Sequence, residues 1–218
     1  MNLSARRSTL AVAALAAASA AAVPAAGAST TVNQNPCGYT FSKVFAPWND
    51  NRNYVLTPDG GFENGATDWT LENGAAVGEG NETFQVGGAA DHQSLTLPAG
   101  SSATSPALCV TRHTGIFRLF ARNSGAAQDP AAHGNSQQPL LKVEVLYTGK
   151  HGNHRSLRVG KLRAGDTWAP TRKLPIVLGQ AKGKGKLQKA NVQLRFTPIG
   201  APADWQIDDV YLDPRLRR

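Results

Sequence analysis

From residue 40 onward, apolar residues recur at every second position in short runs, and no stretch of useful length carries them at the spacing of a helix face. In residues 140–147, Leu141, Val143, Val145 and Tyr147 fall on one side and Lys142 and Glu144 on the other; in residues 192–197, Val192, Leu194 and Phe196 oppose Gln193 and Arg195. Successive side chains of an extended chain point to opposite faces, so each run predicts a strand with one buried and one wet face. Similar runs occupy residues 94–97, 116–121, 157–162, 175–178 and 206–212, with Gly, Pro, Asn and Asp between them. Many short strands with turn signals between them predict an all-β fold, an antiparallel sandwich or barrel. With 218 residues, 41% of them hydrophobic, one core of good size can form. The same composition excludes a collagen, a coiled coil and a disordered tail. Residues 123–139, small and polar, and 179–185, where lysines alternate with glycines, read as loops.

The amino terminus is of a different kind. Arg6 and Arg7 precede an apolar run of Ala, Leu and Val over residues 10–22, which closes with Pro24 and the triplet Ala26-Gly27-Ala28. A basic start, an apolar stretch and a small-residue cleavage site, in that order, form a secretory signal peptide. An uncleaved anchor fits less well, because the run is short for a bilayer span and mostly alanine. No transmembrane segment is expected in the mature chain. Three parts follow: residues 1–28 as the signal peptide, 29–54 as an N-terminal extension, and 55–218 as the β-sandwich domain, in a protein that is secreted or held at the cell envelope.

Cys37 and Cys109 both fall in the exported part, where a disulfide persists, and there is no CxxC spacing to suggest redox chemistry or a thiolate zinc site. A bridge closing a loop of about 70 residues would stabilise the fold by about 4 kcal/mol on chain-entropy grounds. Loss of Arg6 and Arg7 with the signal peptide lowers the formal charge from +8 to +6. Residues 29–100 hold two bases against eight acids, whereas residues 150–218 hold fifteen bases against five acids. Such asymmetry predicts a cation site in the acidic part and an anionic partner for the basic part, with general solubility as the plain alternative.

Gly61-Phe62-Glu63-Asn64-Gly65, with Trp69 a few residues on, and the closing Ile207-Asp208-Asp209-Val210 resemble the opening and closing motifs of galactose-binding-like jelly rolls, several families of carbohydrate-binding modules among them. The resemblance brackets residues 55–213 and rests on these two short motifs. It implies a jelly-roll sandwich and a structural Ca²⁺ held by Glu63 and Asp209, with Asp208 as the alternate. Adjacent strand residues point to opposite faces, so only one of the two aspartates would serve unless a bulge intervenes. A turn-capping Glu63 with solvated aspartates is the plainer reading. The text is also similar to a group of secreted actinobacterial proteins, in Phe45-Ala46-Pro47-Trp48, residues 95–106 and 208–214, and no activity comes with that likeness.

Sugar modules of the resembled kind commonly use aromatic platforms. Trp69 and Trp205 belong to the fold-defining motifs and are expected in the core, which leaves Trp168 and Tyr147 as ligand-binding candidates. Catalytic patterns are missing at the level of sequence: no Gly-x-Ser-x-Gly elbow, no His-Glu-x-x-His, no phosphate-cradling loop. His151 and His154 sit three apart in an expected hairpin turn beside Lys150 and Arg155, a poor setting for a metal. Lys182, Lys184, Lys186 and Lys189 form a cluster suited to a polyanion, although few aromatics are interleaved, which disfavours specific nucleic-acid binding. The expected function is a non-catalytic binding or cell-envelope module with a glycan as ligand. The alternatives are a structural or adhesive surface protein that holds anionic polymers through its basic C-terminal part, and a hydrolase without a local motif.

Overall fold

The alternating segments pair into two antiparallel sheets. The structure is a computed structural model that describes residues 37–111, 114–125, 139–149, 152–177, 189–200 and 204–213. Its strands are β1 (Val55–Leu56), β2 (Thr70–Glu72), β3 (Ala76–Glu79), β4 (Gln93–Leu97), β5 (Ser102–Thr104), β6 (Leu108–Thr111), β7 (Thr114–Asn123), β8 (Leu140–Thr148), β9 (His154–Leu162), β10 (Ala169–Pro170), β11 (Leu174–Val177), β12 (Lys189–Ile199) and β13 (Trp205–Asp213). The first sheet runs β10-β7-β13-β4-β3, with β11 also on β7 and β1 on β13; the second runs β2-β5-β12-β8-β9, with β6 also on β12. No α-helix occurs among the described residues, and a 3₁₀ turn spans Ala46–Trp48. The expected all-β jelly-roll sandwich is thus the architecture.

Inner faces of both sheets meet in one core. Val143 and Val145 of β8 and Val192, Leu194 and Phe196 of β12 face Leu95, Phe117, Leu119, Trp205 and Ile207 of the other sheet, all buried. Trp69 is in that core as expected, its ring between those of Phe62 and Phe196 at centroid distances of 5.1 and 6.2 Å. Its Nε1 donates to the carbonyl of Pro58 at 3.0 Å, so the polar edge of the ring is satisfied. Cys37 and Cys109 are bridged, with Cα atoms 5.7 Å apart. The link ties the N-terminal extension to β6.

β7 places apolar side chains on both sides. Phe117, Leu119 and Ala121 enter the main core, while Ile116 and Phe120 join Phe45, Tyr54, Trp168 and Tyr211 in a second apolar layer on the outer side of the first sheet. A strand covered on both faces reads as a nearly continuous hydrophobic run, as residues 115–121 do. The cover comes from residues 41–54 of the extension. Phe45 stacks on Phe120 at 5.6 Å and meets Tyr54 edge-on at 4.9 Å.

A buried ion pair lies beside this layer. Arg118, 6% exposed, lies 4.2 Å from the Phe45 ring centroid, donates through Nε to the Thr171 carbonyl, and pairs through Nη1 with Asp50 Oδ2 at 3.1 Å. Tyr54 Oη donates to the same oxygen at 2.8 Å, and Lys173 Nζ stands 3.4 Å from Oδ1. Burial opposes ionisation of Asp50, but the Tyr54 hydroxyl, the Lys173 charge and the Arg52 amide outweigh it and hold its pKa below the usual carboxylate value. Removing one member of a buried pair strands the other, at a cost of about 3 to 5 kcal/mol. We therefore expect Asp50→Ala to lose about that much in urea unfolding and Lys173→Ala, at the exposed rim, no more than about 1 kcal/mol.

Candidate functional site

The two sequence motifs meet in space at an irregularity in β13. Pairing with β7 shifts register between Asp208 and Tyr211, and Asp209 adopts a left-handed φ of 50°. Ile207 and Val210, three apart, both remain in the core, so one extra residue has been accommodated between them. The opening motif packs against this bulge: Thr57 N donates to the Val210 carbonyl and Val210 N to that of Gly60, each at 2.9 Å. A Cβ on Gly60 would collide with Thr57 Oγ1 and stand 2.8 Å from the Val210 oxygen, so the close approach needs glycine there.

Five carboxylates, Glu63, Glu82, Asp91, Asp208 and Asp209, gather about the bulge, and their roles differ. Asp208 is spent on backbone: Oδ2 accepts from Glu82 N at 3.0 Å and Oδ1 from Asp209 N at 2.8 Å. Glu82, 1% exposed, accepts from Phe84 N and Val86 N and so shapes residues 82–86. Glu63 Oε1 accepts from His92 N and Gln93 N at 2.9 and 2.8 Å, and Oε2 lies 3.1 Å from His92 Nδ1. The cap on the opening turn is Asp59 instead, which accepts from Asn64 N and Thr67 N. Asp209 alone of the five has both side-chain oxygens buried without a hydrogen-bond partner. Its Oδ1 would lie 3.3 Å from a Cβ on Gly61 and 3.5 Å from one on Gly87, where Asp91 Oδ2 also crowds in.

Burial first, then the Asp209 charge, pushes the Asp208 pKa up to about 9; burial first, then Glu82, Asp91 and Glu63, pushes that of Asp209 up to about 8. An unpartnered, buried carboxylate ringed by other acids suits a hard cation, which takes six to eight oxygens. No three His, Cys, Asp or Glu side chains among the described residues converge as a ligand group, so an ion beside Asp209 would draw further oxygens from backbone carbonyls. Glu63 and Asp209 fall in one acidic neighbourhood; Asp208, the alternate, is occupied in holding the 82–86 turn.

The ligand-binding candidates fall in different places. Trp168 is no open platform: it is 7% exposed in the outer apolar layer, with the Arg122 guanidinium 5.2 Å from its ring centroid. Tyr147 is half-buried against the main core. It also lines an open groove of about 500 Å³ at the β8–β9–β12 end of the second sheet, with Leu146, His154, Ser156, Asn191 and Gln193 among its neighbours. Lys182, Lys184 and Lys186 lie outside the described residues, as does His151; Lys189 is the first residue of β12. Sequence reading missed the groove and the outer apolar layer. The outward set Lys142, Glu144, Gln193 and Arg195 was a signal for the first, and the two-sided apolar run of β7 was one for the second.

No protein-family model matches the chain, and no curated protein sequence does. Among solved structures it is similar to the CBM22-1 xylan-binding domain of Paenibacillus barcinonensis Xyn10C, with 17% identity over 71% of this chain and 90% of that one and a TM-score of 0.45. A family 16 carbohydrate-binding module is similar with 18% identity over 72% of this chain and 98% of that one, TM-score 0.45. The C-terminal CBM6 of LamC from Zobellia galactanivorans shows 9% identity over 68% and 95%, TM-score 0.41. The sandwich rests on the strand pairing above, not on these likenesses, and no comparison bears on the likeness to secreted actinobacterial proteins.

The acidic neighbourhood sets a pH dependence. Asp208 and Asp209 both have folded pKa values above the ordinary 3.8, so the folded state holds their protons more tightly than the unfolded state does. Their contribution to stability is complete below about pH 4 and is lost as pH rises through about 8 to 9. In EDTA, the melting temperature is expected to fall across that window. Asp209→Asn, which removes the ionisable group while keeping its shape, is expected to flatten the fall and to melt above the parent protein at pH 9.

Proposed function

We propose that this chain is a non-catalytic, exported binding module that takes a glycan into the groove of its second sheet. The groove itself carries the reading. Ser156, Asn191, Gln193, His154 and Arg195 bring hydroxyl, amide, imidazole and guanidinium groups side by side along it, with Leu146 and Tyr147 as the apolar part of the lining. Hydroxyl-rich ligands are held by such a mixture of planar hydrogen-bonding groups and carbon surface in a concave site. The main-chain scaffold is rigid, since β8, β9 and β12 are paired along most of their length. Titration calorimetry against a panel of soluble polysaccharides is expected to find at least one ligand. The double variant Asn191→Ala, His154→Ala, at two exposed lining positions, should weaken it about tenfold or more with an unchanged melting temperature, as expected for loss of two side-chain hydrogen bonds. Failure to bind anywhere in the panel, or binding indifferent to the double variant, would overturn the reading.

We propose separately that Asp209, with Glu63 nearby, helps hold a structural Ca²⁺ beside the bulge. Bound there, the ion would supply positive charge to a buried, acid-rich site and leave the chain's own oxygens as its ligands. The unpartnered Asp209 carboxylate is what supports this. Millimolar Ca²⁺ added to EDTA-stripped protein is expected to raise the melting temperature by about 5 °C or more, and by more at pH 8.5 than at pH 5, because ion and proton compete for the carboxylate. No shift at either pH would sink the assignment.

A further inference from the structure

The wet face of β8, β9 and β12 is not electrically balanced. Cross-strand partners share a face, so the register places Thr197, Lys142 and Lys161 in one row, Thr104, Arg195, Glu144 and Arg158 in the next, and Gln193, Leu146 and Ser156 in a third. On β8, β9 and β12 that face therefore carries Lys142, Lys161, Arg158 and Arg195 against a single acid, Glu144. The acid is already committed: Oε2 accepts from Arg195 Nη2 at 3.1 Å and lies 3.1 Å from Lys142 Nζ, while Oε1 accepts from Ser156 Oγ at 3.1 Å. Lys142, Ser156 and Arg195 hold the Glu144 pKa below the usual range against the burial that raises it, so it stays ionised and fixed.

Arg158 and Lys161 are then left exposed on β9 with no acid directly across from them that is not shared. Lys142 and Lys161 are direct cross-strand partners, an arrangement of like charges that works against pairing. The groove continues into these rows through Arg195 and Ser156, and no Asp or Glu lines it. Guanidinium groups recognise carboxylates through paired N–H donors, and cations on neighbouring strands about 4.8 Å apart offer a linear polymer repeated positive positions.

From this placement we infer that the ligand is an acidic glycan, a polymer with uronate carboxylates, laid across β12, β8 and β9 with its charged groups toward Arg158 and Lys161. The inference rests on the glycan reading of the groove and adds the ligand's charge. It places the polyanion contact at Arg158 and Lys161 on β9, whereas Lys182, Lys184 and Lys186 lie outside the described residues and Lys189 opens β12.

The test compares polygalacturonate with the same polymer after carboxyl reduction, each titrated into the parent protein and into Arg158→Gln, Lys161→Gln. The acidic form is expected to bind about tenfold or more tightly, to weaken steeply with added salt, and to lose both its advantage and its salt dependence in the double variant. Equal affinity for the two forms, with Asn191→Ala, His154→Ala still weakening both, would leave the glycan reading standing and overturn the charge inference. Binding of neither form or of any other glycan would overturn both. Salt-sensitive binding untouched by the double variant but removed by Gln at Lys182, Lys184 and Lys186 would place the contact away from Arg158 and Lys161 and overturn the inference. Equal binding of a DNA fragment of similar charge would show a general polyanion surface and overturn the glycan class.

Discussion

β13 must serve three neighbours at once, and the bulge at Asp208–Val210 is how it does so. Its inward residues Trp205, Ile207, Val210 and Leu212 fill the core, its edges pair with β4, β7 and β1, and its irregular middle receives the opening motif through Thr57 and Gly60. A regular strand would have sent Asp209 into the core and Val210 outward, since one residue of slip exchanges the two faces. The extra residue keeps both valine and isoleucine inside and leaves the two acids outside the core. Glu82 and Phe84 are positioned in turn, because Asp208 accepts from Glu82 N and Glu82 accepts from Phe84 N.

The outer layer on the first sheet depends on the same strand. Tyr211, just past the bulge, meets Phe45 edge-on at 5.7 Å, and Arg118 is its cross-strand partner on β7. Residues 41–54 cover this face, and the Asp50–Arg118 pair fixes where they sit, since a guanidinium buried among rings tolerates no misplaced partner. With one outer face so covered, the outer face of the second sheet, which holds the groove, is the broad paired surface left exposed among the described residues.

Strand positions were legible because burial of a single face writes a period of two into the sequence: β8 and β12 bury Val143, Val145, Val192, Leu194 and Phe196, and turn Lys142, Glu144, Gln193 and Arg195 outward, as alternation requires. The core places of Trp69 and Trp205 and the Cys37–Cys109 bridge were legible too. Trp168 was not, because an aromatic residue after a turn is equally suited to a surface platform and to a small satellite core. The layer it joins includes Phe45 and Tyr54, more than a hundred residues away in the chain.

The sequence by itself determined the strand class, which face of each long strand is wet, and the presence of an acidic and a basic half, since these follow from local alternation and from composition. Only the tertiary structure decided that Asp208 is bound to backbone while Asp209 is unpartnered, and that Lys161, Arg158 and Arg195 gather around one committed glutamate. A bulge and a cross-strand register are relations between segments far apart in the chain. Their geometry is set by packing across the sheet, and the spacing of residues along one strand does not contain it.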